Sequence, residues 1–72
     1  MDMRFVIEFA REENGRWIAE IGDLPGVLAY GATREEAAAR VQALALRVVA
    51  ERLEHSELPG EPLSVSFVAA AA

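Results

Sequence analysis

From Arg34 to Glu54 the chain runs without glycine or proline, and Ala, Leu, Arg and Glu dominate the segment. These residues lose little rotamer freedom in a helix, so the run reads as one long helix. Its start is marked by Thr33, three residues before Glu36, the capping-box spacing. Glu35 and Glu36 also fall in the first turn, where the helix dipole favours negative charge. The other end is marked by "HSELPGEP": His55 complements the dipole, and Pro59, Gly60 and Pro62 make a loop. Ala37, Val41, Leu44, Ala45 and Val48 form the expected inner stripe, with Leu46, Val49 and Leu53 as a second stripe on its flank. In a chain of 72 residues, one helix this long leaves room for a single sheet and no second core.

The rest of the chain supplies that sheet. In "MRFVIEFA", Met3, Phe5, Ile7 and Phe9 alternate with Arg4, Val6, Glu8 and Ala10, the period of a strand with one buried face. Asn14-Gly15 is a strong hairpin signal, and Arg16 to Ile21 is the expected return strand, with Trp17 capping the core or reaching a subunit contact. In "GDLPG", Pro25 fixes its own φ and holds Leu24 extended, and Gly26 supplies the positive φ of a type II turn. Val27 to Tyr30 is a short third strand broken by Gly31. "LSVSFVA" alternates again and gives the fourth. The expected fold is an α+β two-layer sandwich in the order β-β-β-α-β. It consists of an antiparallel meander, one helix over one face, and a last strand parallel to the first, giving the strand order 3-2-1-4. Residues 1–72 are expected to form one domain, with its core between about residues 3 and 69.

Charge and residue types narrow the function. The net charge is −5, every cation is Arg, and no basic cluster is present. This argues against nucleic acid as the main partner and suits a basic protein or plain solubility. Cysteine is absent, so no disulfide or thiolate chemistry is open to the chain. No segment has the length and apolarity of a membrane span and no leader pattern opens the chain, so a soluble cytoplasmic protein is expected, with no membrane partner. The single histidine, His55, reads as a cap, and no zinc-ligand cluster, nucleophile elbow or phosphate loop occurs. Glu8 and Glu20 are expected to face each other across the hairpin, with Asp23 near the strand end. Such acids can hold Mg²⁺, but Arg4 and Arg16 share their faces, and charge pairing is the simpler account. No catalytic residue, cofactor or metal is expected.

"GRWIAEIGDLPGVLAYGATREEAAARVQALALRVVAERLEHSELPGEP" has a joint pattern: an aromatic strand, Asp23-Leu24-Pro25-Gly26, a short strand, Gly31, then Thr33-Arg34-Glu35-Glu36-Ala37 and a long helix with a proline-rich exit. It resembles the HicB-type antitoxin family, specifically its N-terminal partial ribonuclease-H-like domain, over about residues 4 to 68. The resemblance implies homo-oligomers and, in complete antitoxins, binding to a small basic ribonuclease toxin. It does not imply nuclease activity. Complete members carry a C-terminal DNA-binding module, and this chain stops after the fourth strand, so operator binding is not carried over. Asp23, Pro25, Gly26, Gly31, Thr33 and Glu36 are then structural, as turn and helix cap. Trp17, Leu46, Val49 and Leu53 are the candidate oligomer or partner surface, in a homodimer or a dimer of dimers. The alternative is an oligomeric scaffold or small-ligand binder with no toxin.

Overall fold

The computed structural model describes residues 1–71 and contains β1 (Asp2–Arg11), β2 (Trp17–Ile21), β3 (Leu28–Gly31), α1 (Arg34–Glu54) and β4 (Ser64–Ala69). The four strands form one sheet in the order β3-β2-β1-β4. β1–β2 and β2–β3 are antiparallel, and β1–β4 is parallel. This is the α+β layout expected from the alternation and the single long helix.

The hairpin between β1 and β2 is one residue longer than a two-residue Asn-Gly turn, a three-residue loop of Glu13, Asn14 and Gly15. The Gly15 N–H donates to the Glu12 carbonyl and the Glu12 N–H to the Arg16 carbonyl, which leaves Gly15 at φ 86° as a bulge residue. Asn14 Oδ1 accepts from the Arg16 N–H at 2.9 Å. Between β2 and β3, the Leu24 N–H donates to the Ile21 carbonyl and the Val27 N–H to the Leu24 carbonyl. Pro25 and Gly26 are the central residues of the second turn, with Gly26 at φ 85° as a type II turn requires. Because the Val27 N–H is used in this turn, β3 starts one residue later than expected and keeps Gly31 within it. β4 likewise starts at Ser64 rather than Leu63.

The core consists of Phe5 and Ile7 from β1, Ala19 and Ile21 from β2, Leu24 and Val27 from the turn, and Ala37, Val41, Ala45 and Val49 from α1. Ile21 and Val41 are its largest fully buried side chains, each contributing roughly 1.5–3 kcal/mol by burial. Val49 was expected on the outer flank and is instead buried at 3% exposure. The physical reason is the i+4 row: Ala37, Val41, Ala45 and Val49 step by four along a helix of 3.6 residues per turn, so the buried row winds slowly around the helix and reaches Val49 in the second half of α1. Leu44 and Val48, on the other side of the row, are only half-buried.

The helix lies over β2 and β3 rather than over the centre of the sheet. Met3, Val65 and Phe67, on the same face of the β1–β4 half, pack against the core yet stay half-buried. At its C-terminus α1 closes in a Schellman motif. The Glu57 N–H donates to the Arg52 carbonyl and the Ser56 N–H to the Leu53 carbonyl, with Ser56 at φ 56° where glycine is the usual residue. Nothing in the sequence marked that position.

Candidate functional site

The punctuated segment from Asp23 to Glu36 resolves into structural work. Leu24, at 2% exposure, is folded back by the two turns into the core. Asp23 remains exposed, and its side chain enters none of the hydrogen bonds of the turn. Gly31 is needed for close approach: a Cβ there would lie 2.5 Å from the Ala37 nitrogen, so the first turn of α1 rests directly on β3. Thr33 Oγ1 accepts from the Glu36 N–H at 3.0 Å, as the capping spacing predicts. Glu36 returns one residue further than in the usual box and accepts from the Ala32 N–H at 3.1 Å. It also pairs with Arg40 at 3.1 Å, and Arg40 donates to the Tyr30 carbonyl of β3 at 2.9 Å.

The surface residues divide between the two ends of a body 43 Å long. The hairpin, the end of β3 and the start of α1 share one end. There, arginines stack on aromatic rings: Arg16 over Tyr30 at 4.0 Å, Arg34 over Phe9 at 4.0 Å, and Arg11 over Trp17 at 5.8 Å. Glu12 pairs with Arg16 and Glu36 with Arg40, and Glu13 and Glu35, which form no ion pair among the described residues, are matched in number by Arg11 and Arg34, so cations and acids balance at this end. Two shallow clefts open here, one beside Arg16, Tyr30 and Arg40 and one beside Phe9, Trp17 and Arg34. Trp17 lies in register with Arg11 and Gly31 and packs against the core as a half-buried cap. It is therefore separated from the helix residues grouped with it as one surface.

The other end carries the acid surplus. Asp2, Asp23, Glu51 and Glu54 lie there and, among the described residues, enter no ion pair; Glu61 pairs with the N-terminal ammonium and Glu57 lies 3.9 Å from His55. Beside these acids on α1, Leu46 and Leu53 are 47% and 40% exposed. Ala39, Ala43 and Ala50 are also exposed, so an outward stripe runs Ala39-Ala43-Leu46-Ala50-Leu53 in steps of four and three. Sequence reasoning found its two leucines but missed the alanines. The alternating step of the seam was the available signal.

On the uncovered face of the sheet, Glu8 and Glu20 stand directly opposite in register. The expected balance by Arg4 and Arg16 does not form: among the described residues Arg4 makes no ion pair, and Arg16 bonds Glu12 at 2.8 Å. Arg16 precedes β2, four residues from Glu12 in the same turn, so the local partner wins. No group of three or more His, Cys, Asp or Glu among the described residues could hold a metal ion. No helix among the described residues is long and apolar enough to cross a membrane. No family model matches the chain, and no curated protein or solved structure shows significant similarity to it.

Proposed function

We propose that this chain is an antitoxin-like protein-interaction module that uses its acidic end to mask a small basic RNA-cleaving protein. The observation that carries this reading is the segregation of charge: at the hairpin end Glu12, Glu13, Glu35 and Glu36 are matched in number by Arg11, Arg16, Arg34 and Arg40, whereas at the other end Asp2, Asp23, Glu51, Glu54, Glu57 and Glu61 outnumber Arg4, Arg47 and Arg52. Exposed Leu46 and Leu53 stand beside them on α1 and supply the apolar contact that charge alone lacks. The resemblance of the Asp23–Ala37 segment to the HicB-type family points the same way. A second reading, self-association as an oligomeric scaffold, is favoured by the small core and by the half-covered β1–β4 face.

The test is affinity capture from native lysate with the tagged chain, followed by assay of the captured protein on RNA. The expected result is a small basic ribonuclease that the chain inhibits. Its binding weakens at least tenfold between low and high salt and is lost in the double variant Glu51→Lys, Glu54→Lys. Capture of no basic protein, or binding indifferent to both salt and charge reversal, overturns the masking role.

A further inference from the structure

The two edges of the sheet are built differently, and the difference points to a second copy of this chain. β3 is four residues long, its Tyr30 carbonyl accepts from Arg40, and its Gly31 lies under the first turn of α1. β4 has six residues, Ser64 to Ala69, with no charge and no proline, the devices by which edge strands avoid pairing. The Ser64 N–H donates to the Met1 carbonyl and the Ala70 N–H to the Ile7 carbonyl, so the even-numbered residues of β4 point their backbone groups at β1. Val65, Phe67 and Ala69 therefore point theirs outward, and among the described residues nothing bonds to them. The side chains of Val65 and Phe67 lie on the helix-side face, where the offset helix leaves them half-buried.

We propose that two copies pair antiparallel through β4, joining their four-stranded sheets into one eight-stranded sheet with Phe67 at the two-fold axis. Phe67 is the middle of the three outward-pointing residues, so pairing about it places Val65 of one copy opposite Ala69 of the other and uses all three. The strands exchange about six hydrogen bonds in this arrangement. In a molecule of net charge −5, β4 is a surface on which two identical copies meet without opposing carboxylates. Joining also brings the half-covered Val65 and Phe67 of both copies together in the middle of the sheet, away from either helix. The contact is isologous and consumes both open edges, and β3 is guarded, so assembly through sheet edges stops at two. This takes up the self-association reading above and is independent of the basic partner, which keeps the acidic end and the outer face of α1.

Light scattering at micromolar concentration should give twice the chain mass of 7.8 kDa. Ala69→Pro deletes an outward N–H while leaving every β1–β4 bond in place, and should give the monomer mass with an unchanged circular dichroism spectrum. Amide exchange of the unaltered protein reports the same contact without relying on a variant: Val65, Phe67 and Ala69 should be as protected as Ser66 and Val68. A monomer mass for the unaltered protein overturns the proposal and the self-association reading with it. A dimer whose Val65, Phe67 and Ala69 amides exchange freely overturns the β4 contact alone. So does a dimer that Leu46→Glu with Leu53→Glu dissociates while Ala69→Pro leaves it intact.

Discussion

Beneath α1, β2 and β3 are sealed: Ala19 and Ile21 are buried, Gly31 touches the helix backbone, and the β3 edge is short and held by Arg40. β1 and β4 share the same sheet and the same alternating chemistry, and the middle of β1 is buried at Phe5 and Ile7, yet Met3 at its start and Val65 and Phe67 of β4 remain half-buried because the helix is displaced to the other side. The displacement has a local cause. Two features fasten α1 to β3, the missing side chain of Gly31 and the reach of Arg40, and no corresponding feature fastens it to β4. A single helix covers about two strands of a four-stranded sheet, so where it is fastened decides which half is finished within one chain.

The strongest way to break this comparison is to unfasten the helix at Gly31. In Gly31→Val a side chain must enter space in which even its Cβ would lie 2.5 Å from the Ala37 backbone. The expected loss is about 3 kcal/mol, the upper part of the range for overpacking, read as a lower urea midpoint at unchanged slope. A change below 1 kcal/mol would mean that the helix is not held there.

A matched pair of truncations sharpens it. Val41→Ala, at a fully buried position, should cost about 2–3 kcal/mol. Val65→Ala, on the open half, should cost about 1 kcal/mol or less at low protein concentration. If two copies meet through β4, the cost at Val65 grows with protein concentration, because the variant also loses binding free energy, while the cost at Val41 does not. Equal losses at the two positions, independent of concentration, would erase the distinction between the halves.

Period and punctuation carried most of the fold. The strands, the cap at Thr33 and the positive φ of Gly26 rest on patterns and interactions among residues a few positions apart, which the sequence displays directly; the strand order, whose β1–β4 pairing joins residues as distant as Asp2 and Ser64, followed instead from the right-handed crossover rule. The position of Val49 did not follow, because the i+4 pair Leu44 and Val48 and the neighbouring i+4 pair Ala45 and Val49 are equally apolar on paper. Only the angle at which α1 crosses the sheet selects between them. The ion pairs failed similarly: Arg16 had acids within reach on two sides, and a turn geometry invisible in the pattern chose Glu12. For the candidate surface, Leu46 and Leu53 were legible as surplus apolar residues; the expected order 3-2-1-4 put β4 at an edge but did not show that this edge is open while the β3 edge is guarded. Whether an edge is guarded is a property of the finished sheet and has no residue signature beyond the absence of charge and proline.

The smallest effect concerns Arg40, which acts on β3 in two separable ways. Its pair with Glu36 is exposed on both sides, so it is worth a few tenths of a kcal/mol and fades with salt. Its bond to the Tyr30 carbonyl occupies a backbone group at the sheet edge and is worth about 0.5–1 kcal/mol. Glu36→Gln removes the ion pair but keeps an amide oxygen that can accept from the Ala32 N–H. It should cost about 0.3 kcal/mol in low salt, the worth of an exposed helix pair, and nothing measurable in 1 M salt. Arg40→Ala removes both interactions and should cost about 1 kcal/mol, most of it persisting in high salt. If the two variants instead lose the same amount and salt abolishes both losses, Arg40 is only half of a surface ion pair. The guarding of β3 would then rest on Gly31 and the short length of the strand.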